Sequence, residues 1–126
     1  MTDLESQSIS NRYRLLARLD CGSSRVVHKA HDCVLDKVVA IKTLNDQSPL
    51  DQASLARFEN EAKVLARVSH PHIAGLMDAG HQNGRPYLVL DYFSGRSLFD
   101  FLEERGEISL EKSIYLFVDL CLAVEY

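Results

Sequence analysis

The chain has 126 residues, 46% of them hydrophobic and 25% charged, and a formal net charge of −4, which is typical of one modest globular domain or a piece of one. The acidic balance and the lack of a Lys/Arg run argue against a nucleic-acid partner. The polar N-terminus argues against a signal peptide, and the most apolar stretch, residues 113–124, is too short for a membrane span and is interrupted by Asp119. The three cysteines are an odd number without CxxC spacing, which argues against a disulfide framework and a zinc site and favours the reducing cytoplasm.

The first third of the chain predicts a flexible tail followed by a β-meander. Residues 1–11 are polar and show no periodicity, so we expect a loose tail and a folded structure that begins near Tyr13. Three β-type runs follow at residues 13–19, 25–30 and 37–44. The links between them are short, which favours antiparallel pairing because parallel strands need a long crossover connection.

One amphipathic helix is predicted in the middle of the chain, over residues 52–68. Apolar side chains recur there at spacings of three and four, which places them on one helix face. They are Leu55, Phe58, Ala62, Leu65 and Val68. Charged residues fill the opposite face, so the apolar stripe is expected to be the buried side.

The remaining chain predicts two strands and then two helices. The strands are the apolar runs at residues 73–79 and 86–92, which flank a turn at residues 81–84. The helices cover residues 97–104 and the chain from Ser109, a suitable N-cap. Because strands dominate the first part and helices the last, we predict an α+β domain rather than alternating βαβ units.

The last predicted helix is apolar on nearly every side. Within residues 109–126 the polar residues are Ser109, Glu111, Lys112, Ser113, Asp119 and Glu125. A helix of this kind is normally buried all round, yet no later segment of the 126 residues can cover it. We therefore expect an exposed apolar face that belongs to an incomplete domain or that contacts another chain.

Lys42 and Glu61 suggest chemistry by their own positions. Alternation along the strand places Lys42 and Ala40 on one face. There the small Ala40 leaves room for a flat purine, and the ammonium of Lys42 can bind phosphate oxygens. A routine strand that ends in a solvated lysine is the alternative. Glu61 borders the buried helix stripe and can pair with Lys42, whereas the alternative is a surface glutamate that is hydrated or pairs with Lys63 or Arg57.

Three segments in this order carry a resemblance to a known family. They read YRLLARLDCGSSRVVHKAHDCVLDKVVAIKTL, then RFENEAKVLARVSHPHI, then PYLVLDYFSGRSL. Together they resemble the amino-terminal lobe of bacterial eukaryotic-like (Hanks-type) serine/threonine protein kinases, from about residue 13 to residue 126. The resemblance implies a kinase N-lobe at residues 12–92, with a five-stranded antiparallel sheet and the αC helix. A hinge and the first two helices of an incomplete C-lobe would follow at residues 93–126.

The resemblance also implies an ATP site. Lys42 corresponds to the ATP-anchoring lysine and Glu61 to its helix partner, and these two are the catalytic candidates. Val27 and Ala40 correspond to the two residues that cover the adenine from the sheet side, and Leu90 corresponds to the gatekeeper. All of these except Glu61 are therefore nucleotide-binding candidates.

The hinge and the phosphate loop complete the implied site. Asp91 and Phe93 correspond to hinge residues whose backbone C=O and N–H groups pair with the adenine edge. Leu19 and Gly22 belong to the region of the glycine-rich loop, and no residue is assigned to a metal. The loop departs from the GxGxxG pattern, because residues 20–25 read DCGSSR and keep only the middle glycine.

This departure predicts weaker nucleotide binding. Glycines let the loop backbone approach the phosphates and offer N–H donors, whereas Asp20 adds a negative charge and Arg25 adds bulk, although its charge favours phosphate. The alternative is that both side chains point to solvent and the loop works normally.

The HRD and DFG motifs of active kinases do not occur in the 126 residues. These motifs supply the Asp that orients the substrate hydroxyl and the Asn and Asp that bind Mg²⁺. The resemblance thus implies the ATP-binding portion of a protein serine/threonine kinase, truncated before the catalytic loop. ATP, Mg²⁺ and a protein substrate are expected for the complete enzyme, and no catalysis is expected from this chain alone. The alternatives are a degenerate, pseudokinase-like module that binds another protein, or a homodimer formed through the last helix.

Overall fold

A computed structural model describes residues 7–21, 25–44 and 51–125. Within these residues lie a six-stranded antiparallel sheet and three α-helices. The strands are β1 (Ser8–Ile9), β2 (Tyr13–Cys21), β3 (Arg25–Asp32), β4 (Lys37–Leu44), β5 (Leu76–Gln82) and β6 (Arg85–Asp91), and the helices are α1 (Gln52–Leu65), α2 (Leu98–Arg105) and α3 (Leu110–Glu125). The order across the sheet is β1-β2-β3-β4-β6-β5. The predicted α+β class is confirmed.

The expected loose start is wrong for residues 8 and 9, which form β1 and raise the number of strands from five to six. Ile9 is buried and pairs with Tyr13 across β1 and β2. Ser10 and Asn11 reverse the chain with left-handed backbone angles, φ 55° and 53°. A strand of two residues is too short to give a periodic signal, so the sequence did not reveal it.

The two faces of the sheet are buried by different apolar clusters. The cluster inside the curled sheet consists of Ile9, Tyr13, Leu15, Ala30, Val39, Ile41, Tyr87 and Val89. The cluster beneath α1 consists of Leu44, Phe58 and Leu88, with the partly buried Leu55, Ala62, Leu65, Leu76 and Leu90 packed against it. Because side chains alternate along β4, Ala40 and Lys42 share the α1 face with Leu44.

α1 begins where a side chain caps it. Asp51 Oδ1 accepts a hydrogen bond from Ser54 N at 2.6 Å, and this bond lowers the pKa of Asp51. Phe58 is fully buried, and the helix ends at Leu65 rather than at the predicted residue 68. The chain continues past Leu65 in a tighter turn, in which Val68 N donates to Leu65 O, three residues back.

The last two strands differ from prediction in their bounds. β5 begins three residues later than expected and extends to Gln82, while β6 covers Arg85 to Asp91. The connecting turn is therefore only Asn83 and Gly84, both with positive φ, 54° and 76°. Positive φ at both central residues is the requirement of a type I′ hairpin, and it lets the strands pair up to the turn.

The sheet curls far enough that its two edge strands are joined by side chains. Ser10 N, just after β1, donates to Gln82 Oε1 at 2.6 Å, and Gln82 Nε2 donates to Ser8 O at 3.3 Å. Tyr13 OH donates to Asp78 Oδ2 of β5 at 2.7 Å. Burial and this hydrogen bond raise the pKa of Tyr13.

A buried carboxylate holds the turn between β3 and β4. Asp32 accepts two hydrogen bonds from the Arg12 guanidinium, both at 2.9 Å, and further bonds from Val34 N and Leu35 N at 2.9 and 3.2 Å. The hydrogen bond from Arg12, followed by the two from the backbone, lowers the pKa of Asp32 to about 2 against the opposing effect of its burial. The turn is thus fixed to the start of β2.

The last helix has an exposed apolar face, as expected from the lack of a covering segment within the 126 residues. Ser109 caps α3 by accepting from Lys112 N at 3.3 Å. The exposed apolar residues of α3 are Leu110, Ile114, Tyr115, Leu116, Phe117, Val118, Leu120, Leu122 and Val124. Among the described residues, no helix has the length and apolar character needed to cross a membrane.

Candidate functional site

The candidate site lies on the face of the sheet that α1 partly covers. Val27 pairs with Lys42 across β3 and β4, and Ala40 pairs with Leu90 across β4 and β6. Paired residues of an antiparallel sheet point to the same face, and Ala40 and Lys42 are two positions apart on one strand. These four candidates therefore form one patch, in which Ala40 presents the smallest side chain.

α1 adds a carboxylate to this patch. Lys42 Nζ donates to Glu61 Oε1 at 2.6 Å, and the two side chains are 22% and 25% exposed. The buried Phe58 lies one turn before Glu61 on the same side of α1 and sets the rotation of the helix. The structure thus brings the two catalytic candidates together, at the contact that the sequence suggested.

Arg25 is a third charged member of the site, and its contact with Glu61 was not predicted from the sequence. Its Nη1 donates to Glu61 Oε2, and its guanidinium carbon lies 5.8 Å from the ring centroid of Phe58, within reach of a cation–π contact. The alternative that the side chains of Asp20 and Arg25 both point to solvent is therefore wrong for Arg25. The strand register reveals this position, because Val27 faces Lys42 and Arg25 is two residues before Val27 on the same face.

The hinge candidates follow β6. Asp91 is the last residue of β6; its Oδ2 accepts from Gly75 N at 2.9 Å, and its own N–H donates to Gly75 O at 3.0 Å. A Cβ on Gly75 would lie 2.8 Å from Asp91 Oδ2, so the glycine lets the carboxylate approach this closely. Phe93 lies two residues beyond β6 with an exposed side chain. The Asp91 carboxylate thus anchors the start of the segment that carries Phe93.

The two loop candidates have different outcomes. Leu19 is exposed and lies where the register of β2 against β3 shifts, between Arg18 and Asp20. The alternation of side chains between the two sheet faces is interrupted at such an irregularity. The face on which Leu19 lies could therefore not be predicted from the sequence. Gly22 lies outside the described residues.

The site combines an apolar surface with an excess of positive charge. Lys42 and Arg25 are both positively charged, whereas Glu61 is the one carboxylate that pairs with them. The remaining positive charge favours the binding of an anion beside them. Val27 and Ala40 offer a flat apolar neighbour to these charges. A ligand that joins a planar ring to an anionic group fits this set of groups. Among the described residues, no group of three or more His, Cys, Asp or Glu could hold a metal ion.

Comparisons with known proteins point in one direction. The profile of the family described as "Protein kinase domain" matches residues 13–126. The chain is 35% identical over 122 residues to the serine/threonine-protein kinase PksC of Streptomyces coelicolor, covering 90% of this chain and 22% of that protein. It is 34% identical over 124 residues to the serine/threonine-protein kinase PknB of Mycolicibacterium smegmatis, covering 95% and 20%.

A third relative is a probable serine/threonine-protein kinase of Clostridium perfringens, 32% identical over 117 residues, with 93% of this chain and 17% of that protein covered. The chain thus spans about a fifth of the length of these relatives.

Proposed function

Since the chain belongs to the protein kinase domain family, we propose that it forms the ATP-binding portion of a protein serine/threonine kinase. The observation that carries the proposal is the ion pair between Lys42 and Glu61 beside the small residue Ala40. An ammonium fixed by a carboxylate is placed to bind phosphate oxygens, which is how kinases use this pair. In the complete enzyme the reaction would transfer the γ-phosphate of ATP to a Ser or Thr hydroxyl of a protein substrate.

Each proposed binding residue has a distinct task. The adenine would lie against apolar side chains, which are those of Leu19, Val27, Ala40 and Leu90. Asp91 and Phe93 would meet its polar edge with backbone groups, and Gly22 would offer a backbone N–H to the phosphates. Mg²⁺ would accompany ATP in the complete enzyme, held by residues of the HRD and DFG loops that the 126 residues do not contain.

We propose two parts of the kinase fold in this chain. Residues 12–92, together with β1, form the N-lobe, and residues 93–126 form the hinge and the first two helices of the C-lobe. This division is supported by the chain that follows β6, where the strands end and α2 and α3 begin. We place the protein in the cytoplasm, where ATP and protein substrates are available to a kinase.

Nucleotide binding by the 126-residue chain tests the proposal. Isothermal titration should detect ATP binding, and Lys42→Ala should weaken it by about tenfold or more, because a hydrogen bond between charged groups contributes about 1.5–3 kcal/mol. Lys37→Ala is the matched control, since Lys37 is an exposed lysine at the other end of β4, about 17 Å away by strand rise. Equal losses in both variants, or none in Lys42→Ala, would contradict the proposal.

We propose further that the 126 residues do not transfer phosphate by themselves. Lys42 and Glu61 hold and orient phosphates, but the groups that position the substrate hydroxyl and the metal belong to the absent motifs. Incubation of the purified chain with labelled ATP and a generic protein substrate should leave the substrate unlabelled. Labelling that disappears in Lys42→Ala would refute this part of the proposal.

The exposed apolar side of α3 favours a second candidate, a module that binds a protein. The partner would be another protein or a second copy of the chain, because a contiguous apolar surface of this kind is normally covered. Light scattering on the full chain separates these cases. A dimer that dissociates in Phe117→Glu supports self-association, whereas a monodisperse monomer excludes it.

A further inference from the structure

We propose that Arg25 is a second phosphate-binding cation of this site, which recognises the polyphosphate of a nucleoside triphosphate together with Lys42. The inference rests on the proposed function, because it assigns a new role within the same nucleotide site. Arg25 stands where the kinase pattern has the last glycine of the phosphate loop, and its side chain therefore replaces a residue that has none.

The strand register places the two cations as neighbours. Arg25 pairs with Leu44 and Val27 pairs with Lys42, so Arg25 and Lys42 are diagonal neighbours on one face of β3 and β4. Diagonal neighbours in a sheet are about 7–8 Å apart at the backbone, within reach of long side chains. Both cations meet at Glu61, where Lys42 binds Oε1 and Arg25 binds Oε2. A phosphate group beside Lys42 would thus lie within reach of Arg25 as well.

Two contacts order the Arg25 guanidinium in a position where it can bind phosphate. Glu61 accepts from its Nη1, and the buried ring of Phe58 lies beneath its carbon at 5.8 Å. A guanidinium has five N–H donors in one plane, so a contact through Nη1 leaves donors for a ligand. The side chain is 35% exposed, which keeps part of it open to solvent. An arginine that is already ordered loses less conformational entropy when it binds phosphate.

The net positive charge of Arg25, Lys42 and Glu61 also favours an anionic ligand. One carboxylate neutralises one of the two cations, so Arg25, Lys42 and Glu61 together carry one positive charge in excess. A polyphosphate supplies the missing negative charge, and arginine binds phosphate through paired hydrogen bonds. The guanidinium therefore offers the phosphates side-chain donors at a position where a glycine would let only the backbone approach them. On this proposal Arg25 strengthens nucleotide binding, which is the opposite of the weakening expected from its bulk.

The test compares ligands that differ in phosphate number. ATP, ADP, AMP and adenosine are titrated into the full chain, into Arg25→Gln and into Arg25→Lys. Arg25→Gln keeps an amide near Glu61 but removes the charge, and we expect it to weaken ATP binding about tenfold and to leave adenosine binding unchanged. Arg25→Lys should recover at least half of the loss on a logarithmic scale. Arg14→Ala is the control, because Arg14 is exposed and pairs with His31, about 20 Å along β3 from Arg25.

A double mutant separates direct contact from positioning through Glu61. In a Glu61→Gln background, Arg25→Gln should still weaken ATP binding, because the phosphate contact does not pass through the carboxylate. No further loss in that background would mean that Arg25 acts only by holding Glu61, and the proposal would fail. Equal losses for Arg25→Gln and Arg25→Lys would also overturn it, since charge would not be the cause.

The outcomes also distinguish this inference from the proposed function. A wild-type chain that binds none of the four ligands refutes both. A chain that binds ATP better than adenosine, with the same ratio of affinities in Arg25→Gln, refutes the role of Arg25 and leaves the ATP site standing. Circular dichroism spectra of the variants establish that each is folded like the wild type. If Arg25→Gln does not fold, the comparison of ATP with adenosine is made with Arg25→Lys instead.

Discussion

Replacing Asp32 with asparagine should destabilise the chain in a way that depends on pH. The carboxylate is 1% exposed and accepts four hydrogen bonds, two of them from Arg12. The pKa of Asp32 falls from an ordinary 3.8 to about 2 in the folded protein. This difference corresponds to about 2 kcal/mol as an upper value. Because Arg12 is 32% exposed and water screens its charge, we expect about 1–2 kcal/mol.

The sign of the pH dependence follows from the lowered pKa. The folded state favours the ionised carboxylate, so its contribution is complete above the ordinary pKa near 4 and is lost as the pH falls toward 2. Urea denaturation of the wild type and of Asp32→Asn should therefore show the full difference in the free energy of unfolding at pH 7. That difference should shrink between pH 5 and pH 2.

Asp36→Asn provides the matched control in the same turn. The Asp36 side chain is 91% exposed and lies 2.8 Å from His31 Nε2, so its replacement should change stability little at any pH. The reasoning is refuted if Asp32→Asn and Asp36→Asn have equal effects at pH 7. It is refuted equally by a difference between the wild type and Asp32→Asn that stays constant from pH 7 to pH 2.

Two further substitutions test the packing around the site. Phe58→Ala should lower the free energy of unfolding, measured by urea denaturation, by about 3–4 kcal/mol, because it leaves a cavity at a fully buried position. The control is Val64→Ala on the same helix, which should have a small effect because the Val64 side chain is exposed. Gly80→Ala should destabilise by about 1–3 kcal/mol, because the new Cβ would lie 2.6 Å from Tyr87 Oη. Ala79→Ser is its control, and thermal melting curves that coincide for the two variants would contradict this prediction.

Much of the site could be predicted from the sequence because it follows from strand periodicity. Alternation alone places Ala40 and Lys42 on one face, and the spacing of the helix stripe places Glu61 beside its buried edge. The contact between Lys42 and Glu61 needed one more step, the resemblance to kinases, because periodicity does not say which helix faces which strand. The ATP-binding roles of these residues stay predictions that the titrations address.

What the sequence did not provide depends on pairing between distant segments. The partner of Arg25 became visible only once the register of β3 against β4 was known. The position of Leu19 depends on a register shift in β2, which has no sequence signal of its own. β1 was missed because two residues give no periodic signal, and its pairing with β2 and the hydrogen bond from Gln82 to Ser8 O exist only in the folded chain.

The contacts between the first strand and the hairpin of β5 and β6 also affect how the molecule meets other copies of itself. Exposed sheet margins are templates for the addition of foreign strands and for fibril growth. Here Gln82 bridges the two margins, so an intruding strand would first have to displace both of its bonds, to Ser8 O and to Ser10 N. At this corner of the sheet the Gln82 amide therefore hinders the addition of a strand from another copy of the chain.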